Sequence, residues 1–137
     1  MIETYRGTVF RNQEDHMGHM NVMWYISKYD EATWQFVASF GLTAAYVKEK
    51  NQAMVAVEQN VKYMAEVMAG TLLVVRSELL EVKNKVIRFR HTMFNAEDDS
   101  LVSTCELTAV YMDLGLRKSY PIPDFMQVNL QDLLAQK

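Results

Sequence analysis

The sequence is poor in the residues that would place it in a specialised class. It has one cysteine, Cys105, so no intrachain disulfide can form and a reducing compartment is expected. No run of lysine and arginine occurs: 14 basic residues stand against 17 acidic ones, a formal net charge of -3. That balance offers no surface to track a phosphate backbone, and nucleic acid is not expected as a partner. No apolar stretch approaches the roughly 20 residues of a membrane helix, so no membrane is expected either. Near the start, Glu3 and Arg6 interrupt the only short apolar run, which argues against a signal peptide. Repeats, linkers and low-complexity segments are missing. What is there is a chain of 137 residues, 50% hydrophobic, which is enough for one core and one domain over 1–137. A cytoplasmic protein is the expectation.

Residues 2–11 alternate loosely and read as a first strand. After a turn over 12–20, Val22, Ile26, Tyr29, Thr33, Phe36, Val37 and Phe40 recur at steps of three and four and predict a long helix of 18 to 20 residues stopped at Gly41. Its other face carries Met23, Trp24, Trp34 and Ala38. A helix apolar over most of its circumference is expected to be wrapped by a sheet. A short helix is predicted over 43–51, and strands over 53–67, 71–82, 86–95 and 101–112, with turns at Asn84-Lys85 and Glu97 to Ser100. Short turns imply an antiparallel meander. Beyond Pro121 and Pro123 a short terminal helix follows. The class is α+β: an antiparallel sheet of about five strands around one long central helix.

The stretch Asp15 to Tyr25 reads Asp-His-Met-Gly-His-Met-Asn-Val-Met-Trp-Tyr. A polar turn here feeds a helix start, where unpaired N–H groups and the positive end of the helix dipole polarise a carbonyl or anion. Asn21 is the expected N-cap. Asp15 has two readings, the cap of a turn or a carboxylate working on a carbonyl held at the helix head. His19 reads as a loop organiser, as a hydrogen-bond donor to that carbonyl or to Asp15, or as a base. Asn21 serves as cap and can also position a water, and Tyr25 reads as packing with its hydroxyl satisfied. His16 and His19 beside Asp15 raise the question of a metal. The third histidine, His91, and the lone cysteine lie on remote strands, so no metal site is expected. The methionines near the turn (Met17, Met20, Met23) and on the second strand (Met54, Met64, Met68) fill the core or line an adaptable pocket.

The element order, with Asp15, Gly18, His19, Asn21 and Tyr25, resembles the hotdog-fold acyl-CoA thioesterases of the 4-hydroxybenzoyl-CoA thioesterase type. These proteins carry an acid three residues before a glycine, often Gly-His-x-Asn, and then a tyrosine at the head of the central helix. Here that pattern is Asp15-His16-Met17-Gly18-His19-Met20-Asn21 with Tyr25. The similarity extends over nearly the whole chain, to a segment like Val61-Lys62-Tyr63 and a closing Pro121 to Pro123. It implies hydrolysis of an acyl-CoA to free acid and coenzyme A, with Asp15 as general base or nucleophile. The oxyanion is implied near the N–H of Val22, with Gly18, Met23 and Tyr25 around the substrate. Some branches carry a histidine seven residues after the acid. Val22 stands there, so an imidazole would come from His19 or His16.

No cofactor is expected, coenzyme A being part of the substrate, and Lys62, Lys83, Lys85, Arg88, Arg90, Arg117 and Lys118 are the basic residues available to its phosphates. Hydrolysis of acyl groups on acyl carrier protein is an alternative, as is a non-catalytic module that binds acyl thioesters. The dehydratase branch fits less well, since the helical acids Asp30 and Glu31 lack its usual histidine. Open sheet edges, together with the resemblance, imply a homodimer or homotetramer.

Overall fold

The computed structural model describes residues 1–136. Its elements run β1 (Ile2–Thr8), a turn of 3-10 helix (Arg11–Gln13), α1 (Val22–Ala38), α2 (Ala44–Lys50), β2 (Gln52–Tyr63), β3 (Leu72–Val82), β4 (Val86–Asn95), β5 (Leu101–Asp113), β6 (Lys118–Ser119) and α3 (Asp124–Ala135). All strands join one curled antiparallel sheet in the order β1-β3-β4-β5-β2, with the two-residue β6 pairing with β5. The meander runs through β3, β4, β5 and the short β6.

The predicted continuation of that meander through β2 is not what is found. β2 pairs with β5, Gln52 opposite Asp113 through Tyr63 opposite Ser103, on the far side of the sheet from β3. The cause lies in residues 64–71. The N–H groups of Met64 and Ala65 both turn onto the Val102 carbonyl, which ends the strand four residues before the predicted limit. The segment then crosses to the other side of the molecule. There the N–H of Met20 donates to the Val67 carbonyl at 2.8 Å and that of Gly70 to the Val9 carbonyl at 2.8 Å. A crossing strap replaces the expected hairpin, and it fastens the polar turn at 14–20 to the body of the fold.

Helix α1 has 17 residues, about 25 Å at 1.5 Å per residue, slightly shorter than predicted. Tyr25, Tyr29, Ala32 and Phe36 form its buried stripe. Phe36 stacks on Phe89 of β4 at 4.9 Å between centroids and Tyr29 on His91 at 5.6 Å. Burying such side chains contributes roughly 1.5–3 kcal/mol each. On the β1 side, Lys28 is only 3% exposed, and its ammonium donates to the Tyr5 hydroxyl at 3.0 Å. The Tyr5 ring lies over Gly7 so closely that a Cβ there would meet the hydroxyl oxygen, which makes this a position for glycine.

Two features depart from one helix enclosed by a sheet. Helices α2 and α3 pack as well: Asn129 Nδ2 donates to the Phe40 carbonyl at 3.0 Å, and the Tyr46 and Tyr111 hydroxyls meet at 3.0 Å. The outer face of α1 is also open, Met23 being 61% and Trp34 54% exposed. No helix among the described residues is long and apolar enough to cross a membrane.

Candidate active site

The turn from Asp15 to His19 is closed by its own backbone. The Asp15 N–H donates to the His19 carbonyl at 2.9 Å and the Gly18 N–H to the Asp15 carbonyl at 3.1 Å. Gly18 has φ +83 with open space where a Cβ would be, so its backbone conformation, not crowding, favours glycine. Asp15 Oδ1 accepts the Met17 N–H at 2.8 Å, the bond of an Asx turn. The turn reading of Asp15 therefore holds, and it uses one carboxylate oxygen. No hydrogen bond or ion pair engages the other among the described residues. The side chain is half-buried.

Asn21 caps α1 as predicted, its Oδ1 accepting the Met23 N–H at 2.9 Å. The Trp24 N–H turns onto the Asn21 carbonyl at 3.0 Å. The N–H of Val22, the first helical residue, has no acceptor among the described residues. An unpaired N–H at the positive end of a 17-residue helix is a donor open to a carbonyl or an anion. Chain continuity places it seven residues after Asp15, across a turn that the Glu14–Met20 bridge folds back on itself.

The remaining predicted residues divide. Tyr25 is buried, donates its hydroxyl to the Ala65 carbonyl at 3.2 Å, and meets Tyr63 edge to face at 5.0 Å; burial raises its pKa. This is the packing role expected of it, and it ties α1 to the start of the 64–71 strap. The His19 imidazole points at its own neighbourhood, Nδ1 3.4 Å from the Met20 carbonyl and Nε2 3.8 Å from Glu66, and no side-chain hydrogen bond joins it to the Asp15 carboxylate. His16 is exposed. His91 and Cys105 lie in the core away from the turn, the imidazole held down to about 4 and the thiol pushed up to about 12, both by burial. A thiol so protonated at neutral pH is a poor nucleophile.

A groove with a cavity volume of about 600 Å³ runs along the open face of α1 towards the inner face of β2. It begins at Met23, in the first turn, and passes Ile26, Asp30 and Trp34. Of the residues predicted around the turn only Met23 is on its wall, joined there by Met54, one of the methionines read as core or pocket lining; Asp15, His19 and Asn21 stand outside it, at the helix head. Asp30 and Trp34 were not foreseen as members of a site. Their signal was the spacing 23, 26, 30, 34, which sets one acid into an apolar stripe. Of the basic residues, Arg88 pairs with Glu81 and Glu106, Arg90 with Glu78 and Glu106, and Lys83 with Glu81. Lys62, Lys85, Arg117 and Lys118 have no ion pair among the described residues.

Comparison with known proteins fits this geometry. Residues 10–130 match the profile of the Thioesterase-like superfamily. An L-carnitine dehydrogenase/betainyl-CoA thioesterase of Agrobacterium fabrum is 30% identical over 123 residues, covering 90% of this chain and 25% of that protein. The chain thus spans about a quarter of the length of that relative. A betainyl-CoA thioesterase of Pseudomonas aeruginosa is 22% identical, covering 88% of this chain and 76% of its own. Among solved structures, a Staphylococcus aureus protein in complex with CoA superposes with a TM-score of 0.91 at 21% identity, over 100% of this chain and 88% of its own. A 1,4-dihydroxy-2-naphthoyl-CoA thioesterase from Synechocystis gives 0.81 at 20% identity, over 94% and 95%. These likenesses in structure establish the fold.

Proposed function

The chain belongs to the Thioesterase-like superfamily, and we propose that it hydrolyses acyl-CoA thioesters at the head of α1. One observation carries the reading. A carboxylate with one oxygen committed to its own turn and one unengaged, Asp15, precedes a helix whose first N–H, that of Val22, is unpaired. In this reading the thioester carbonyl accepts a hydrogen bond from the Val22 N–H. The free oxygen of Asp15 takes a proton from water as the water oxygen attacks the carbonyl carbon. The tetrahedral intermediate collapses with loss of the C–S bond, and the departing thiolate of coenzyme A takes the proton held by Asp15, which restores the carboxylate. If Asp15 attacks directly, the same atoms yield a mixed anhydride that water then opens. A donor aimed at the oxyanion contributes about 3–4 kcal/mol to such a step.

The neighbours have supporting parts. Gly18 lets the turn close, Asn21 holds the helix head and stands beside the incoming water, Met23 forms the entrance to the groove, and Tyr25 anchors the helix to the strap. His19 orders the turn through its backbone carbonyl. No metal or cofactor takes part in this reading; coenzyme A enters with the substrate.

The reading includes a homodimer. β2 is a 12-residue edge strand with one side unpaired and with Val57 and Tyr63 exposed, a surface suited to a second copy of itself. Its inner face walls the groove, so pairing there would complete the acyl site.

The direct test is release of free coenzyme A from a panel of short, long, branched, aromatic and charged acyl-CoAs. The names of the curated relatives put betainyl-CoA first in that panel. Release above the spontaneous rate for at least one acyl group is the expected result. No release from any of them would overturn the reading.

A further inference from the structure

The groove along α1 is walled mostly by apolar and aromatic side chains, and Asp30 is the one charged residue among those that line it. No lysine, arginine or histidine shares the wall, and Asp30 makes no hydrogen bond or ion pair among the described residues. Trp34 lines the same groove one turn further on, 54% exposed. Residues four apart on a helix are neighbours on its surface. The groove therefore sets an exposed carboxylate with no protein partner beside an indole on the path of an acyl group entering past Met23, which would displace its water.

A neutral hydrocarbon acyl chain would dehydrate that carboxylate without replacing its partners, and an anionic one would be repelled. A cation satisfies it. A quaternary ammonium fits best, because its methyl groups pack on apolar walls and its charge is drawn both to a carboxylate and to the face of an indole. Length is also constrained. Asp30 lies eight residues beyond Val22, about 12 Å along the axis, and helical side chains lean back towards the N-terminus. A carbonyl at the Val22 N–H and a charge at Asp30 thus belong to one short acyl chain.

We propose that Asp30 and Trp34 form a recognition site for the cationic head of a short acyl group, so that the substrate class is acyl-CoAs bearing an ammonium a few bonds from the thioester. The proposal rests on the thioesterase reading for the identity of the ligand. It goes beyond that reading in assigning specificity to two residues outside the catalytic turn.

The test compares each cationic substrate with its carbon isostere: (trimethylammonio)acetyl-CoA with 3,3-dimethylbutanoyl-CoA, and 4-(trimethylammonio)butanoyl-CoA with 5,5-dimethylhexanoyl-CoA. The full chain is expected to favour the cation by about tenfold or more in kcat/KM for at least one pair. Asp30→Asn, which keeps the shape and removes the charge, is expected to bring that preference to within about threefold of unity, and Trp34→Leu to lower it in part. Equal or inverted preference in the unaltered chain for both pairs would overturn the proposal, as would a parallel fall on both members of a pair in Asp30→Asn. If no acyl-CoA is hydrolysed, the thioesterase reading fails by itself. Calorimetric binding of the same pairs then decides the proposal: tighter binding of the cation, abolished by Asp30→Asn, supports it, and equal or absent binding overturns it.

Discussion

Asn21 Oδ1 accepts the N–H of Met23 at 2.9 Å, which secures the second N–H of α1 and leaves that of Val22 free. The cap and the N–H proposed as oxyanion donor are thus adjacent groups of one helix start. Asn21→Ala removes the cap and should lower stability by about 1 kcal/mol. It should also lower kcat more than it raises KM, since a frayed first turn misplaces the Val22 N–H. Asn21→Ser, which caps equally well, should restore the stability. Urea unfolding and steady-state kinetics on the two variants check this.

Stability is expected to depend on pH through His91. The imidazole is buried between the Thr33 hydroxyl, 2.8 Å from Nε2, and the Ser77 hydroxyl at Nδ1, and burial lowers its pKa from 6.5 to about 4. The unfolded chain therefore binds a proton at a pH where the folded one does not. The neutral imidazole's contribution is complete above about pH 6.5. It falls by about 1.4 kcal/mol per pH unit down to about 4 and then levels off. Glu3, Glu81 and Asp98, all lowered by their donors, lose their contributions only below their ordinary carboxylate range, so pH 6.5 to 5 isolates the histidine. Denaturant midpoints over that interval should fall in the parent chain and stay flat in His91→Gln.

Cys105 has no part in the chemistry proposed. Its thiol is fully buried on β5 and pushed up to about 12. Incubation with N-ethylmaleimide at pH 7.5 should leave the native thiol unlabelled and the hydrolysis rate unchanged. Cys105→Ala should retain activity within about twofold at a cost of about 1–2 kcal/mol in stability.

The open edge of β2 gives a prediction about assembly. A lysine on a strand edge discourages pairing with another strand. Val57→Lys, at an exposed position of that edge, should shift the mass measured by light scattering from a dimer towards a monomer, and hydrolysis should fall with it. A parent chain that is monodisperse as a monomer would contradict the dimer.

Much of the architecture was legible because it rests on local chemistry. The β4 limits, 86–95, follow from turn residues on both sides, and the α1 start follows from a capping asparagine before a three-and-four repeat. The place of β2 was not legible. Sequence adjacency favours pairing with β3, and only the non-local bonds of the 64–71 strap, from the N–H groups of Met64 and Ala65 to the Val102 carbonyl and from the Met20 N–H to the Val67 carbonyl, carry β2 to the other edge. The polar turn was identifiable by composition, and its internal bonds match the types of residue in it. Asp30 and Trp34 were visible only as members of a helix face, because the groove that gives them meaning is made jointly with a strand about twenty residues later in the chain.

In the proposed reaction the unengaged oxygen of Asp15 does the chemistry. Asp15→Asn is well suited to test it, because the amide oxygen can keep the bond from the Met17 N–H, so the turn persists while the charge is lost. The measurement is release of free coenzyme A from the best acyl-CoA, with binding followed by calorimetry. The expected result is a fall of at least about a hundredfold in kcat with binding within about threefold of the parent chain. Turnover undiminished in Asp15→Asn would contradict it.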